Sequence, residues 1–177
     1  MNIYSNLNTL NQELLHELFD YNDGQLHWKV SPKIGVNVGD IAGHIEFRGY
    51  KVIKIMGKKY KAHRLVFLYH NGYIPKVLDH IDNDRTNNRI ENLRIATRGQ
   101  NNQNAKIRKD NTSGVKGVFW NNRTQKWTAA LQHNKQKWKK TFDTLEEAKI
   151  EIESVRMKLH KEFANHGVVW LFTLWWP

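Results

Sequence analysis

Between Val77 and Asn104 the chain reads VLDHIDNDRTNNRIENLRIATRGQNNQN, and no regular element accommodates the middle of that stretch. From Ile81 to Glu91 it is polar and dense in Asp and Asn, whose side chains compete for backbone hydrogen bonds and favour turns. Short apolar pieces bracket it. Val77 to His80 is β-prone at its start, Leu93 to Ala96 supports a second strand, and Thr97 stands where an N-cap begins a helix running through Asn104. The expected order is strand, loop, strand, helix. In that order Asp79 and His80 end the first strand with side chains on opposite faces. Asn101 sits one turn into the helix, expected to face back toward them, so that two oxygen donors and one titratable base converge.

Those residue types are useful together. Magnesium is a hard ion that prefers carboxylate, amide-carbonyl, water and phosphate oxygens and usually takes one or two protein ligands. Asp79 and the amide oxygen of Asn101 match that preference. A water attacking a phosphodiester needs a base titrating near neutrality, and imidazole, with an unperturbed pKa of about 6.5, supplies one. With ligand and base on opposite faces of a strand, they approach a phosphate from different sides, which suits in-line displacement.

Charge points the same way. The 28 Lys and Arg against 17 Asp and Glu give a formal net charge of +11 over 177 residues, which favours a polyanionic partner. Residues 94 to 161 hold 16 of the cations and 6 of the anions, so the footprint lies mainly in the second half. The chain has no cysteine, which excludes disulfides and a Cys-based zinc ribbon. The start lacks a secretory signal pattern. The apolar stretch Val168 to Trp176 is about half the roughly 20 residues of a spanning helix, so no membrane role is expected.

Upstream, residues 8 to 20 read as a helix, with Thr9 and Gln12 in capping-box spacing and Leu10, Leu14 and Leu18 recurring every fourth residue. A turn at Asn22-Asp23-Gly24 leads to short strand-like pieces. Gly49 to Ile55 and Lys59 to Lys61 form a hairpin about Met56-Gly57, and His63 to His70 forms a helix stopped at Asn71-Gly72.

With these residues in view, the chain resembles the His-Asn-His (HNH) endonucleases of the ββα-metal fold, in the branch common in phages and mobile introns. The resemblance covers residues 18 to 104. It is carried by His63-Arg64-Leu65-Val66, Leu78-Asp79-His80-Ile81-Asp82, Asn87-Asn88, Asn92-Leu93-Arg94 and Asn101-Asn102. It implies that His80 is the general base, that Asp79 and Asn101 hold one magnesium or manganese ion, and that Asn92 pins the loop to the first strand. Asn101 stands where the family name has its last His, as in the homing-nuclease branch. His63 is expected to pack behind the metal site, and Arg64 to reach a phosphate. Arg85 and Arg98 are further expected DNA contacts.

After a polar linker at 106 to 112, Lys116 to Trp120, Lys126 to Gln132 and Gln136 to Phe142 alternate apolar with basic or polar residues. They predict a three-stranded antiparallel sheet. Thr144 and Glu147 form a capping box, and Leu145, Ala148, Ile152, Val155, Leu159 and Phe163 form a stripe that covers one sheet face. This region resembles the Apetala-type (ethylene-response-factor) DNA-binding domain. Gly114 to Val118, Lys126-Trp127-Thr128-Ala129 and Thr141 to Ala148 carry the resemblance. It implies that the sheet enters the major groove, with Lys116, Phe119, Trp120, Lys126, Trp127, Gln132 and Trp138 at or near contact positions. Arg123 and Lys137 join them as expected DNA contacts. Two structural readings stand beside these: Trp127 packing under the helix, and Lys135, Lys137, Lys139 and Lys140 forming a solvated edge that discourages strand pairing.

The expected protein is of the α+β class. Residues 1 to 105 form a nuclease domain with its core at about 60 to 105, 113 to 165 a DNA-binding domain, and 166 to 177 an apolar tail. The expected partner is double-stranded DNA, with no membrane, no obligatory protein partner and a homodimer as one option, in the cytoplasm of a host cell. The alternative is a catalytically silent DNA-binding regulator on the same scaffold.

Overall fold

A computed structural model describes residues 9 to 167. The chain is of mixed helix and sheet, with small antiparallel sheets, and divides into two compact units between Ile95 and Ala96.

The first unit begins with α1 (Gln12–Leu18). Asn11, rather than Thr9, caps it, its side chain accepting from Leu14 N at 3.0 Å, so the helix starts later than the leucine spacing alone predicts. It also ends earlier, because Phe19 pairs with Trp28 in a hairpin of β1 (Phe19–Asn22) and β2 (Gln25–Trp28). Asp23 and Gly24 turn that hairpin with φ of 48° and 81°, the backbone of the tight turn that matches strand twist. Glycine is required at 24 for space as well: a Cβ there would lie 2.7 Å from Arg89 N.

A second small sheet has the order β3 (His44–Ile45), β4 (Lys51–Ile55), β5 (Lys58–Lys61). Helix α2 (Ala62–Asn71) follows without a break and stops at Gly72, whose left-handed backbone lets its N–H bond Leu68 O. Leu14, Leu15, Leu18, Phe19, Leu26, Trp28, Ile53, Ile55, Leu65, Val66 and Leu68 form one core, so both helices bury a face between the hairpins. β6 (Leu78–His80) and β7 (Leu93–Ile95) then pair antiparallel, with Leu93 anchored in that core.

The second unit opens with α3 (Arg98–Asn104), which carries the expected cap: Thr97 and Gln100 form a full capping box. Its sheet has the order β10 (Gln136–Phe142), β9 (Lys126–His133), β8 (Val118–Asn121). Val118, rather than Lys116, begins β8, because Gly117 turns the backbone to φ 77°. Helix α4 (Leu145–His160) has the Thr144/Glu147 capping box and packs on the sheet. Its buried stripe departs from expectation. Ala148 and Ile152 are buried, but the next positions inward are Arg156 and His160 rather than Val155 and Leu159. The Arg156 guanidinium accounts for the rotation. It donates to Lys116 O and meets His166 Nδ1 at 2.9 Å, so its polar end is satisfied where an aliphatic residue was predicted.

Among the described residues no helix is long and apolar enough to cross a membrane. The expectation for the Val168 to Trp176 tail lies outside the described residues.

Candidate active site

The pairing of β6 with β7 decides which groups meet. Asp79 stands directly opposite Arg94, and His80 opposite Leu93. Cross-strand partners share a face, and consecutive residues point to opposite faces. Asp79 accordingly meets Arg94, whose Nε donates to Oδ2 at 3.0 Å and whose Nη2 lies 3.0 Å from the same oxygen as an ion pair. His80 points to the other side, where its ring stands edge-on to His63 at 4.9 Å and 6.3 Å from Tyr50. Asp79 and His80 are only 5% and 6% exposed, so both positions are set by packing.

The loop between these strands is built from Asx bonds. Asp84 N donates to Asp82 Oδ1, Thr86 N to Asp84 Oδ1, and Asn87 Nδ2 to Asp82 Oδ2 at 2.6 Å. Asn92 closes it. Its Oδ1 accepts from Asp82 N at 3.1 Å, its Nδ2 donates to Asp82 Oδ1 and Asn87 O, and its carbonyl accepts from Ile81 N. The amide supplies two N–H donors and a separate carbonyl acceptor on one short side chain. Arg89, paired with Asp23, and Ile90 N, bonded to Tyr21 Oη, tie the loop to the β1–β2 hairpin.

His63 lies on the first turn of α2 and is 5% exposed. Burial, with further contributions from His80, Lys61 and Arg64, pushes its pKa down from 6.5 to about 3. The His63 ring is therefore neutral at neutral pH. Below pH 6.5 the unfolded chain takes up a proton that folded His63 refuses, so stability is full above pH 6.5 and falls as the solution is acidified toward 3. Unfolding free energy measured at pH 7 and pH 5 should drop by about 2 kcal/mol more in the wild type than in His63→Phe, at about 1.4 kcal/mol per unit. Equal drops would refute it.

Beside the two histidines sits a cationic platform absent from the sequence-based expectations except for its arginines 64 and 85. Lys61 Nζ lies 3.9 Å from the centre of the Tyr50 ring, and the Arg85 guanidinium 4.9 Å from it. Arg85 also donates to Arg48 O, and Arg64 to Pro75 O. Partial burial and the charges of Arg64, Arg85 and Arg48 lower the pKa of Lys61. Neither Tyr50 nor Lys61 has a sequence signature, because the ring lies just before β4 and the lysine at the end of β5, and the pairing of those strands brings them together.

Asp79 fits a hard divalent ion. Its carboxylate is a hard oxygen donor held in place by Arg94. Among the described residues there is no cluster of three or more His, Cys, Asp or Glu groups able to hold a metal. A carboxylate completed by water and phosphate oxygens suits a hard divalent ion; structural zinc would need four N or S donors. Asn101 is exposed on α3, in the second unit, with its N–H bonded to Thr97 O. Arg98 is exposed at the start of the same helix.

In the second unit the register sorts the expected DNA contacts by face. Trp120, Trp127 and Trp138 share a face with Val118, Ala129 and Leu131, the side packed by α4. Trp127 and Trp138 pack against that core, and Trp120, 39% exposed, stands edge-on to Trp127 at 5.2 Å. The face away from α4 carries exposed Lys126, Gln132, Lys137 and Lys139 with Phe119, which is 46% exposed. Lys126 pairs with Asp143 at 2.8 Å, and Arg123 is exposed in the β8–β9 turn. Lys116 is directed elsewhere: its ammonium donates to Gln103 O and Ala105 O at the end of α3, and burial lowers its pKa to about 8.

Residues 60–103 match the HNH endonuclease family, a segment that holds the strand with Asp79 and His80, the Asx loop and all but the last residue of α3. Protein 3.8 of Escherichia phage T7 is 36% identical over 118 residues, which cover 65% of this chain and 97% of that protein. The chain belongs to the family of that phage protein. No solved structure matches it.

Proposed function

We propose that the protein is a metal-dependent DNA endonuclease of the phage or intron-homing type. The observation that carries this reading is the β6–β7 ribbon, which presents a fixed carboxylate on one face and a buried imidazole on the other within an HNH-matched segment. By the resemblance, Asn101 would be the second oxygen donor to the metal, and residues 113 to 165 would be an Apetala-type module that positions the duplex. Magnesium or manganese, when bound, supplies charge neutralisation at the scissile phosphate and the departing oxygen. His80 takes a proton from water, the water oxygen forms a bond to phosphorus, and the bond from phosphorus to the 3′ oxygen breaks, the oxygen leaving with the electron pair and taking a proton from solvent water. The products are a 5′ phosphate and a 3′ hydroxyl. Asn92 keeps the loop closed so that His80 stays where the strand puts it.

One site per chain nicks one strand, and a double-strand break takes a homodimer or two visits. Lys61, Arg85 and Arg64 track the phosphates beside His80, while Lys126, Lys137, Lys139 and Arg123 hold flanking duplex. Trp120, Trp127 and Trp138 act from beneath as core, apart from the exposed part of Trp120. Lys61→Ala and Arg85→Ala should each lower the slope of log affinity against log salt by about 1, equally for unrelated sequences. Unchanged slopes would remove the platform from the interface.

The test is conversion of supercoiled plasmid at low salt with magnesium, manganese or chelator. Metal-dependent nicking supports the enzyme. Tight duplex binding with no cleavage in either metal supports a DNA-binding regulator instead.

A further inference from the structure

Asn88 lies outside the set of base, metal donors and loop-closing amide, yet it makes a direct contact with the base. It is 1% exposed, and its Oδ1 lies 3.0 Å from His80 Nε2. The neighbouring Asx side chains do something else. Those of Asp82, Asp84, Asn87 and Asn92 bond one another or the loop backbone. The Asn88 backbone N–H is held by Thr86 O at 3.1 Å, so its side chain leaves the turn from a fixed point.

A neutral imidazole carries one N–H and one lone pair, and the partner of one nitrogen decides the role of the other. An amide oxygen only accepts. Its place against Nε2 puts the proton there and the lone pair on Nδ1. The far end of the amide supports a specific role, because Asn88 Nδ2 is buried with no hydrogen-bond partner. A leucine would fill similar volume without burying that donor, so stability alone gives no reason for asparagine here. The reverse amide orientation would place Nδ2 against Nε2 and the lone pair on Nε2, so the histidine tautomer reports which orientation holds.

We infer that Asn88 is the positioning residue of the site: through Oδ1 it fixes the Nε2–H tautomer and ring orientation of His80, so that Nδ1 receives the proton of the attacking water. The catalytic half of this inference rests on the nuclease reading; the tautomer half does not. The experiment compares the full-length wild type, Asn88→Asp and Asn88→Leu, with His80→Gln used to assign the His80 signals. Long-range proton–nitrogen spectra of protein carrying nitrogen-15 histidine give the tautomer. Plasmid nicking in magnesium gives kcat and KM.

The wild type should show His80 as the Nε2–H tautomer. Asn88→Leu should show a mixture and lose about 10²-fold in kcat, with KM and duplex affinity within about twofold. Asn88→Asp, which still accepts from Nε2–H, should keep the tautomer and recover most of the rate lost in Asn88→Leu. An Nδ1–H tautomer in the wild type overturns the inference. So does a folded Asn88→Leu with unchanged tautomer and kcat. If Asn88→Leu does not fold, the wild-type tautomer and the Asn88→Asp rate decide the matter. A wild type that shows the Nε2–H tautomer but cuts no DNA in either metal overturns the nuclease reading while establishing the hydrogen bond.

Discussion

His80→Ala should nick supercoiled DNA at least about 10²-fold more slowly than the wild type in magnesium or manganese, with duplex affinity within about twofold. The two halves of that result have separate causes. A positioned base acts only in the transition state, so its loss lowers kcat and kcat/KM together. Affinity comes from lysines and arginines that the substitution does not touch. His80 is buried against His63 and Tyr50, so truncation also opens a small cavity, and the melting temperature must be measured beside the rate. His80→Gln, closer in volume, should be nearly as slow with a smaller loss of stability. Wild-type rates in both variants would rule out His80 as the base.

Arg94→Leu should destabilise the first unit by about 3 kcal/mol, the lower end for breaking a buried ion pair from one side. The pair is cross-strand and desolvated on both partners, with side-chain exposures of 16% for Arg94 and 6% for Asp79. Removing the guanidinium leaves a buried carboxylate without the charge that balanced it, and desolvation then weighs against folding. Asp79→Asn alone should cost less, because a neutral amide needs no counter-charge. The double variant Asp79→Asn with Arg94→Leu should recover part of the loss, which makes the two changes non-additive. Urea unfolding of the four proteins measures the coupling, and strict additivity would show that the pair contributes nothing. The Arg94→Leu protein that remains folded should also bind divalent ions more tightly, since the cation beside Asp79 is gone.

Much of this architecture is legible residue by residue. Thr97 as a cap, and Thr144 with Glu147 as a capping box, announce helices that begin where they place them, because a cap acts within one turn and needs no distant partner. The hairpin at Met56-Gly57 and the helix stop at Gly72 are local for the same reason. The Asp79-His80 alternation follows from strand geometry alone. The α1 boundaries were less legible, since Asn11 competes with Thr9 as the cap and Phe19 is drawn into a strand by Trp28.

What the sequence determined by itself was the local grammar: which segments are helix, strand or Asx loop, and which residue types are set side by side along the chain. The tertiary structure alone decided which side chains face each other across segments. Arg94 on Asp79, Asn88 on His80, Lys61 and Arg85 on Tyr50, and Arg156 turned into the α4 core all depend on strand register and packing between distant elements. Periodicity says how a residue points relative to its neighbours in sequence. It does not say what the fold has placed opposite, and that is where the choice between a core tryptophan and a DNA contact, or between a loop asparagine and the residue that orients a base, is made.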